Sequence, residues 1–150
     1  MKLLLDTNIL IHLSKDPTFQ FLKKVINPDD HGLFISVVSL AELKSLGLQY
    51  GWGLKRWQII NSILLDAVMI EVSENFVDTY AEIDAYSQRR NTMHLNYPFS
   101  TPRNMGKNDL WIAATASLLG LKLVTTDTDF NHLHHVFVEV QLIKPGMFTR

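Results

Sequence analysis

Four carboxylates stand where a short apolar run gives way to a segment with helical character. They are Asp6 in MKLLLDTN, Glu42 in LFISVVSLAEL, Asp109 in MGKNDLWIAA and Asp127 in LKLVTTDTDF. In an α/β protein the carboxyl ends of the strands and the starts of the next helices converge on one edge of the sheet. Acids gathered at that edge repel one another unless a cation lies between them. An all-oxygen donor set of this kind suits Mg²⁺ or Mn²⁺. A hard divalent ion held there lowers the pKa of water and neutralises phosphoryl oxygens. The chemistry implied is metal-dependent hydrolysis of phosphodiesters, with no need for a nucleophilic Ser or Cys. Asn8 offers a neutral amide two residues past Asp6, placed to orient that carboxylate or to hold a water of the ion.

Each acid alone has an ordinary explanation. Ser39-Leu40-Ala41-Glu42 reads as a capping box, with Glu42 reaching back to the first turn of a helix opened by Ser39. Asp109 favours a helix start through the dipole. Asp127, or Asp129 beside it, suits an N-cap, and so does Asp6. The joint pattern is harder to explain this way, because capping does not require an acid at every strand-to-helix junction. Asp6 is the sharpest case. It follows an apparently buried strand, where an unpaired charge costs several kcal/mol, roughly, once desolvated.

The elements that must position these acids alternate along the chain. Lys2–Leu5 is too short for a helix and reads as a buried strand. A short helix follows from Thr7. Asp16-Pro17 marks a restart, and Phe19, Leu22, Val25 and Ile26 give a second helix an apolar face. Strands are expected at Leu33–Val38, Ala67–Val72, Leu121–Thr125 and Val136–Val140. Further helices are expected from Ser39, over Leu54–Leu65, from Ser73 to Gln88, over Leu110–Leu119 with Gly120 closing it, and over Asp127–His134. Arg89–Asn108, with Pro98, Pro102 and Gly106, reads as a long excursion. Strands alternating with helices argue for a parallel sheet covered on both faces. One domain over residues 1–150 is expected, without repeats or low-complexity tracts.

Composition narrows the setting. The net charge is −1, so attraction to nucleic acid must come from local patches. There is no Cys, which removes disulfides and thiolate ligands and fits a reducing cytoplasm. Asp6, Asn8 and His12 interrupt the opening apolar stretch too early for a signal peptide, and no run is long enough to span a bilayer. A soluble cytoplasmic protein, away from membranes, is the expectation. Ala85–Asn108 holds no acid but carries Arg89, Arg90, Arg103 and Lys107 among aromatic rings, whereas Asp66–Asp84 carries six acids and no Lys or Arg. A basic, ring-containing segment beside an acidic pocket suits a nucleic-acid groove, cations holding the backbone and rings stacking on bases.

Other chemistries find little support. His132, His134 and His135 lack the spacing of a zinc site. The GxxxxGK[ST] and GxSxG patterns are absent. A phosphatase of the haloacid-dehalogenase kind needs Asp-x-Asp at the first strand, where this chain has Asp6-Thr7-Asn8. A receiver domain needs an acid pair there and a late Lys, for which Lys144 alone is poor support.

The opening LLDTNIL, the middle SLAEL, the segment GKNDLWIAATA and the closing LVTTDTDF resemble PIN-domain ribonucleases. The likeness runs over nearly the whole chain in the right order and is strongest to VapC-type toxins of bacterial and archaeal toxin–antitoxin pairs. The resemblance implies a three-layer α/β/α sandwich around a four- or five-stranded parallel sheet. It implies Mg²⁺ or Mn²⁺ held by Asp6, Glu42, Asp109 and Asp127. Asp129 is a further acid in the last motif, and Asp127 is preferred because it lies nearer the strand end. The resemblance also implies endonucleolytic cleavage of RNA, often transfer RNA, by a homodimer silenced by a cognate antitoxin. A non-catalytic RNA- or protein-binding module on the same fold is the alternative; loss of an acid would favour it, and all four are present.

Overall fold

The computed structural model describes residues 1–144 and Gly146. Of the single domain expected over 1–150, residues 145 and 147–150 lie outside the described residues. Five strands, β1 (Leu3–Leu5), β2 (Leu33–Ser36), β3 (Ala67–Ile70), β4 (Lys122–Thr125) and β5 (Glu139–Leu142), form one sheet in the order β3-β2-β1-β4-β5. All four pairings are parallel. The connections carry α1 (Thr7–Leu13), α2 (Val37–Tyr50), α3 (Leu54–Leu65), α4 (Val77–Ser87) and α5 (Lys107–Leu119). The chain steps outward from β1 to β3, then returns to the other side of β1 for β4 and β5. The direction of winding therefore reverses between β1 and β4. In open α/β sheets that switch point leaves a crevice at the carboxyl ends of the two strands. Asp6 follows β1 and Asp127 follows β4, so both stand at the crevice.

The three layers follow from the alternation of side chains along each strand. Leu3 and Leu5 point into one core with Ile9 and Leu10 of α1, Leu43 of α2 and Ile60 of α3. Leu4, between them, points into the opposite core with Ile83 and Tyr86 of α4 and Ile112 and Ala113 of α5. All three leucines of β1 are at most 2% exposed, which is what a central strand covered on both faces requires. No helix among the described residues is long and apolar enough to cross a membrane.

Several elements differ from the sequence reading, each for a local reason. The helix carrying Glu42 begins three residues early. Ser36 caps it, its hydroxyl accepting the Val38 N–H at 3.1 Å. Ser39 and Glu42 are therefore not a capping box; Ser39 is fully buried inside the helix. The second helix expected after Pro17 shrinks to one π-helical turn, Leu22–Ile26. The Asp16 carboxylate gathers the N–H groups of Thr18 and Phe21 instead, Phe19 takes a positive φ of 58°, and Val25 is left exposed. The last strand starts at Glu139 rather than Val136. His135, at φ 64°, donates its N–H to the Val138 carbonyl, and the Val140 N–H donates to His134 Nδ1, so residues 133–138 form a tight turn. β3 is a partly exposed edge strand, with Val68 52% exposed. The helix after it is preceded by a 3₁₀ turn over Glu74–Phe76, which Ser73 caps. α5 starts at Lys107, making Asp109 its third residue, and Gly120 closes it at φ 65° as expected.

The position of α2 against α3 depends on one residue. Gly47 is buried on α2, and a Cβ there would fall 2.3 Å from Cζ2 of Trp57. The indole is itself held, with Lys44 over its face and Trp52 packed at 5.6 Å. Gly47→Ala thus gains helix propensity but forces a stiff ring to move. We expect a net destabilisation of about 1–3 kcal/mol, read as a lower midpoint in urea. A midpoint above wild type would show that the two helices are free to separate.

Candidate active site

Asp6 ends β1 and caps α1. Its Oδ1 accepts the Thr7 N–H at 2.8 Å and its Oδ2 accepts the Thr125 hydroxyl at 2.7 Å. The carboxylate is buried, with the residue 3% exposed. Thr125 lies at the end of β4, and its oxygen in turn accepts the Asp127 N–H at 3.0 Å. One hydroxyl thus ties the ends of the two strands that border the crevice. On the other side, the Thr7 hydroxyl donates to Glu42 Oε1 at 2.8 Å and lies 2.9 Å from the buried Ser39 Oγ. Glu42 sits in the second turn of α2, where no capping role accounts for it.

The remaining acids converge from α5 and from the 3₁₀ segment Thr128–Leu133. Asp127 caps that segment, its Oδ1 accepting the Asp129 N–H at 2.8 Å. Carboxylate oxygens of Asp109, Asp127 and Asp129 lie within 4.8 Å of one another. Asp127 and Asp129, between which the sequence left the choice open, both belong to this group.

The electrostatics join the group to Asp6 and Glu42. Burial pushes the Asp109 carboxyl up to about 7, and Asp6, Asp127, Glu42 and Asp129 each add to the rise. Burial also raises Asp6; its hydrogen bonds from Thr125 and Thr7 oppose the rise, and Glu42 and Asp127 add to it. No Lys or Arg pairs with these acids among the described residues. The one ion pair among the described residues joins His31 to Asp29 at 3.9 Å, away from these acids. Carboxylate oxygens without a Lys or Arg counter-charge are the donor set that a hard divalent cation takes. Asp109, Asp127 and Asp129 could hold one ion directly, with Asp6 and Glu42 adding negative charge from the adjoining wall.

Of the other metal and substrate candidates from the sequence, only Arg103 shares a cavity with Asp129. Asn8 is exposed on the first turn of α1, without a hydrogen bond from its side chain among the described residues. Arg103 lines a cavity that also contains Asp129. Arg89, Arg90 and Lys107 are exposed and do not line it; Arg89 sits 5.3 Å from the Tyr97 ring. His132 places Nε2 2.7 Å from Ser87 Oγ, and burial followed by Arg103 lowers its pKa to about 4. It is a neutral packing residue. The hydroxyls of Thr7 and Thr125 were not singled out in the sequence, and Ser39 was read only as a helix cap. The available signal was weak: Thr7 adjoins Asp6 and Thr125 lies two residues before Asp127, but threonines in strands and at helix starts are common.

The charge on Asp109 has a measurable consequence. Its folded pKa of about 7 lies above the ordinary 3.8, so the folded state binds the extra proton between those values. The stabilising contribution is complete below about pH 4 and is lost as pH rises through about 7. His132 works in the opposite sense, since its depressed pKa costs stability as pH falls below 6.5. The test is therefore the difference between Asp109→Asn and wild type, both metal-free. We expect nearly equal melting temperatures at about pH 4, and a variant increasingly more stable than wild type as pH rises to 8. A difference that does not change between those pH values would place Asp109 outside the repulsive cluster.

A family model described as PIN domain matches residues 3–136. No curated protein matches the sequence closely enough to count as a relative. Among solved structures, the fold is similar to VapBC2 from Rickettsia felis, bound to a DNA fragment from its promoter, at TM-score 0.71 and 19% identity, covering 96% of this chain and 100% of that one. VapBC-1 from nontypeable Haemophilus influenzae gives TM-score 0.68 and 22% identity over the full length of both chains. VapBC-5 from Mycobacterium tuberculosis, a member of the VapBC family of toxin–antitoxin systems, gives TM-score 0.59 and 23% identity, over 95% of this chain and 98% of that one. With the family model spanning all five acids and the fold shared along the chain, this protein belongs to the PIN domain family.

Proposed function

We propose that the protein is a Mg²⁺- or Mn²⁺-dependent endoribonuclease and the toxin of a toxin–antitoxin pair, acting in the cytoplasm on structured RNA such as transfer RNA. The observation that carries the reading is the acidic crevice, where burial and then neighbouring carboxylates raise the pKa of Asp109 and Asp6, with no Lys or Arg paired to them among the described residues. A PIN domain without catalytic work to do has no reason to keep that arrangement, which works against the non-catalytic alternative. The likeness to toxin–antitoxin complexes supports a cognate antitoxin as partner. A homodimer is part of the same proposal.

What a bound ion supplies is Lewis-acid charge, which activates water and neutralises charge developing on a phosphodiester. The chain's own work is to fix the donors. Asp6 is locked by one backbone N–H and one hydroxyl, so neither oxygen needs to reorganise. Thr7 holds Glu42 from the other side. Asp127 and Asp129 are set by the cap of a 3₁₀ turn, which aims two acids the same way. Protonation of Asp109 below about pH 7 removes a charge from the group, so activity should fall on the acid side.

Purified protein should cut RNA only when Mg²⁺ or Mn²⁺ is present. Asp6→Asn should abolish cutting while circular dichroism stays that of wild type. Thr125→Val, which keeps shape but removes the hydroxyl between Asp6 and Asp127, should raise the Mn²⁺ concentration for half-maximal activity about 10- to 100-fold. Full activity in excess chelator, or in Asp6→Asn, would contradict the proposal.

A further inference from the structure

The excursion between α4 and α5 ends in a cavity of about 560 Å³, which it shares with the 3₁₀ segment after β4. The volume is within the range of small-ligand sites, roughly 300–1,000 Å³. One wall is apolar and stiff, formed by Pro98, Pro102 and Met105 with the buried Phe99 behind. The polar lining includes Asn104, Asn131 and Asp129. Asp129 belongs at the same time to the acidic group, so the cavity opens beside the centre. Arg103 completes the lining as its one Lys or Arg, and it pairs with no acid among the described residues.

The cavity is built into the fold rather than left by a loose loop. The Asn91 side chain donates to the Glu82 carbonyl at 2.9 Å and accepts the Met93 N–H at 2.9 Å. Tyr97 Oη both accepts the Asn91 N–H and donates to the Asn91 carbonyl, each at 2.8 Å. The Arg103 N–H donates to the Ser87 carbonyl at 2.7 Å. Phe99 is clamped among the rings of Tyr86, Tyr97 and His132. The excursion thus holds Arg103 and Asn104 in place before any ligand arrives.

The polar groups are also available. Gln88 Nε2 donates to Asn104 Oδ1 at 2.8 Å, which leaves both Asn104 N–H donors free of that bond. The Asn131 amide is exposed and makes no hydrogen bond among the described residues, so its donor and acceptor stand side by side. An amide of this kind matches the edge of a nucleobase. The proline rings and the Met105 thioether offer an apolar surface for the face of a base, and a guanidinium suits a phosphate. A cationic peptide group fits less well, since Arg103 would repel it.

From this juxtaposition we infer that the cavity is a nucleotide subsite, receiving the unpaired RNA nucleotide next to the cleaved phosphodiester, its base edge on Asn131 and Asn104 and its phosphate on Arg103. The base must be unpaired, because pairing would occupy the edge that the amides read. The inference rests on the ribonuclease reading for the identity of the polymer, and it adds a residue-level source of sequence preference.

Two measurements test it. In the first, metal-free protein is titrated with each of the four nucleoside 5′-monophosphates, and with ribose 5-phosphate, while the Asn104 and Asn131 side-chain amides are followed by ¹H–¹⁵N spectroscopy. The expected result is a saturable shift of both amides at millimolar nucleotide, strongest for one base, with the Asn104 shift lost in Asn131→Ala and both shifts lost in Arg103→Ala. No shift with any nucleotide, or an equal shift with ribose 5-phosphate, would overturn the subsite. In the second, wild type and Asn131→Ala cut a randomised RNA pool with Mn²⁺. Preference at one position beside the cut, read as the ratio of products within each pool, should fall about tenfold in the variant. An unchanged preference profile would overturn the subsite and leave the nuclease intact. If the wild type cuts no RNA, the nuclease reading fails, and the nucleotide titration still decides whether the cavity binds a nucleotide.

Discussion

Repulsion between carboxylates at the carboxyl edge of the sheet is the constraint on which the rest of the structure turns. Asp6 is almost completely buried, and Asp109 is pushed up to about 7 by burial and by four neighbouring acids. Such an arrangement stores unfavourable energy unless a cation enters or a proton stays. The fold holds it together by spending hydrogen bonds on orientation rather than on neutralisation. Thr7, Thr125 and the N–H groups at two helix starts grip the carboxylates without supplying positive charge. That arrangement supports the proposed metal site, since a structural acid cluster would be better served by a Lys or Arg.

The topology explains why these acids meet at all. Reversal of the winding between β1 and β4 opens a crevice that only residues just past those strands can line. α2 brings Glu42 to one side because Gly47 lets it lie close against Trp57. α5 brings Asp109 to the other because the helix starts at Lys107 and presents its third residue to the crevice. The acids come from places remote in sequence, yet each lies within two turns of a strand end or a helix start. The excursion before α5 adds what the sheet edge lacks, a stiff wall carrying Arg103 beside Asp129.

Much of this was legible in the sequence because it depended on local rules. Short branched runs separated by helical stretches indicated alternating strands and helices and a parallel sheet covered on both faces, and Leu54–Leu65 was matched end to end. The acids were legible because Asp6 stood at the end of an apolar run with nothing nearby to pair with it. Less legible was whatever a long-range contact decided. Ser36 and Ser39 are equally good caps in isolation, and the bond between Ser39 and Thr7 across 32 residues is what only the fold supplies. The tight turn at His134 and His135, which delays β5, depends on a side-chain acceptor for the Val140 N–H. That Arg103 lines the cavity while Arg89, Arg90 and Lys107 do not depends on how the excursion folds on Ser87 and Asn91, which no periodicity reports.

The most direct measurement is calorimetric titration of Mn²⁺ into metal-free protein near pH 6.5, repeated in two buffers of different ionisation enthalpy. Carboxylates must be deprotonated to take the ion, so binding should release protons in proportion to the protonated fraction of Asp109. The expected result is saturable binding whose heat differs between the buffers, with that difference abolished in Asp109→Asn and affinity reduced in Asp6→Asn. Mn²⁺ binding of equal affinity in wild type, Asp6→Asn and Asp109→Asn, or no binding to any of them, would contradict a shared metal centre.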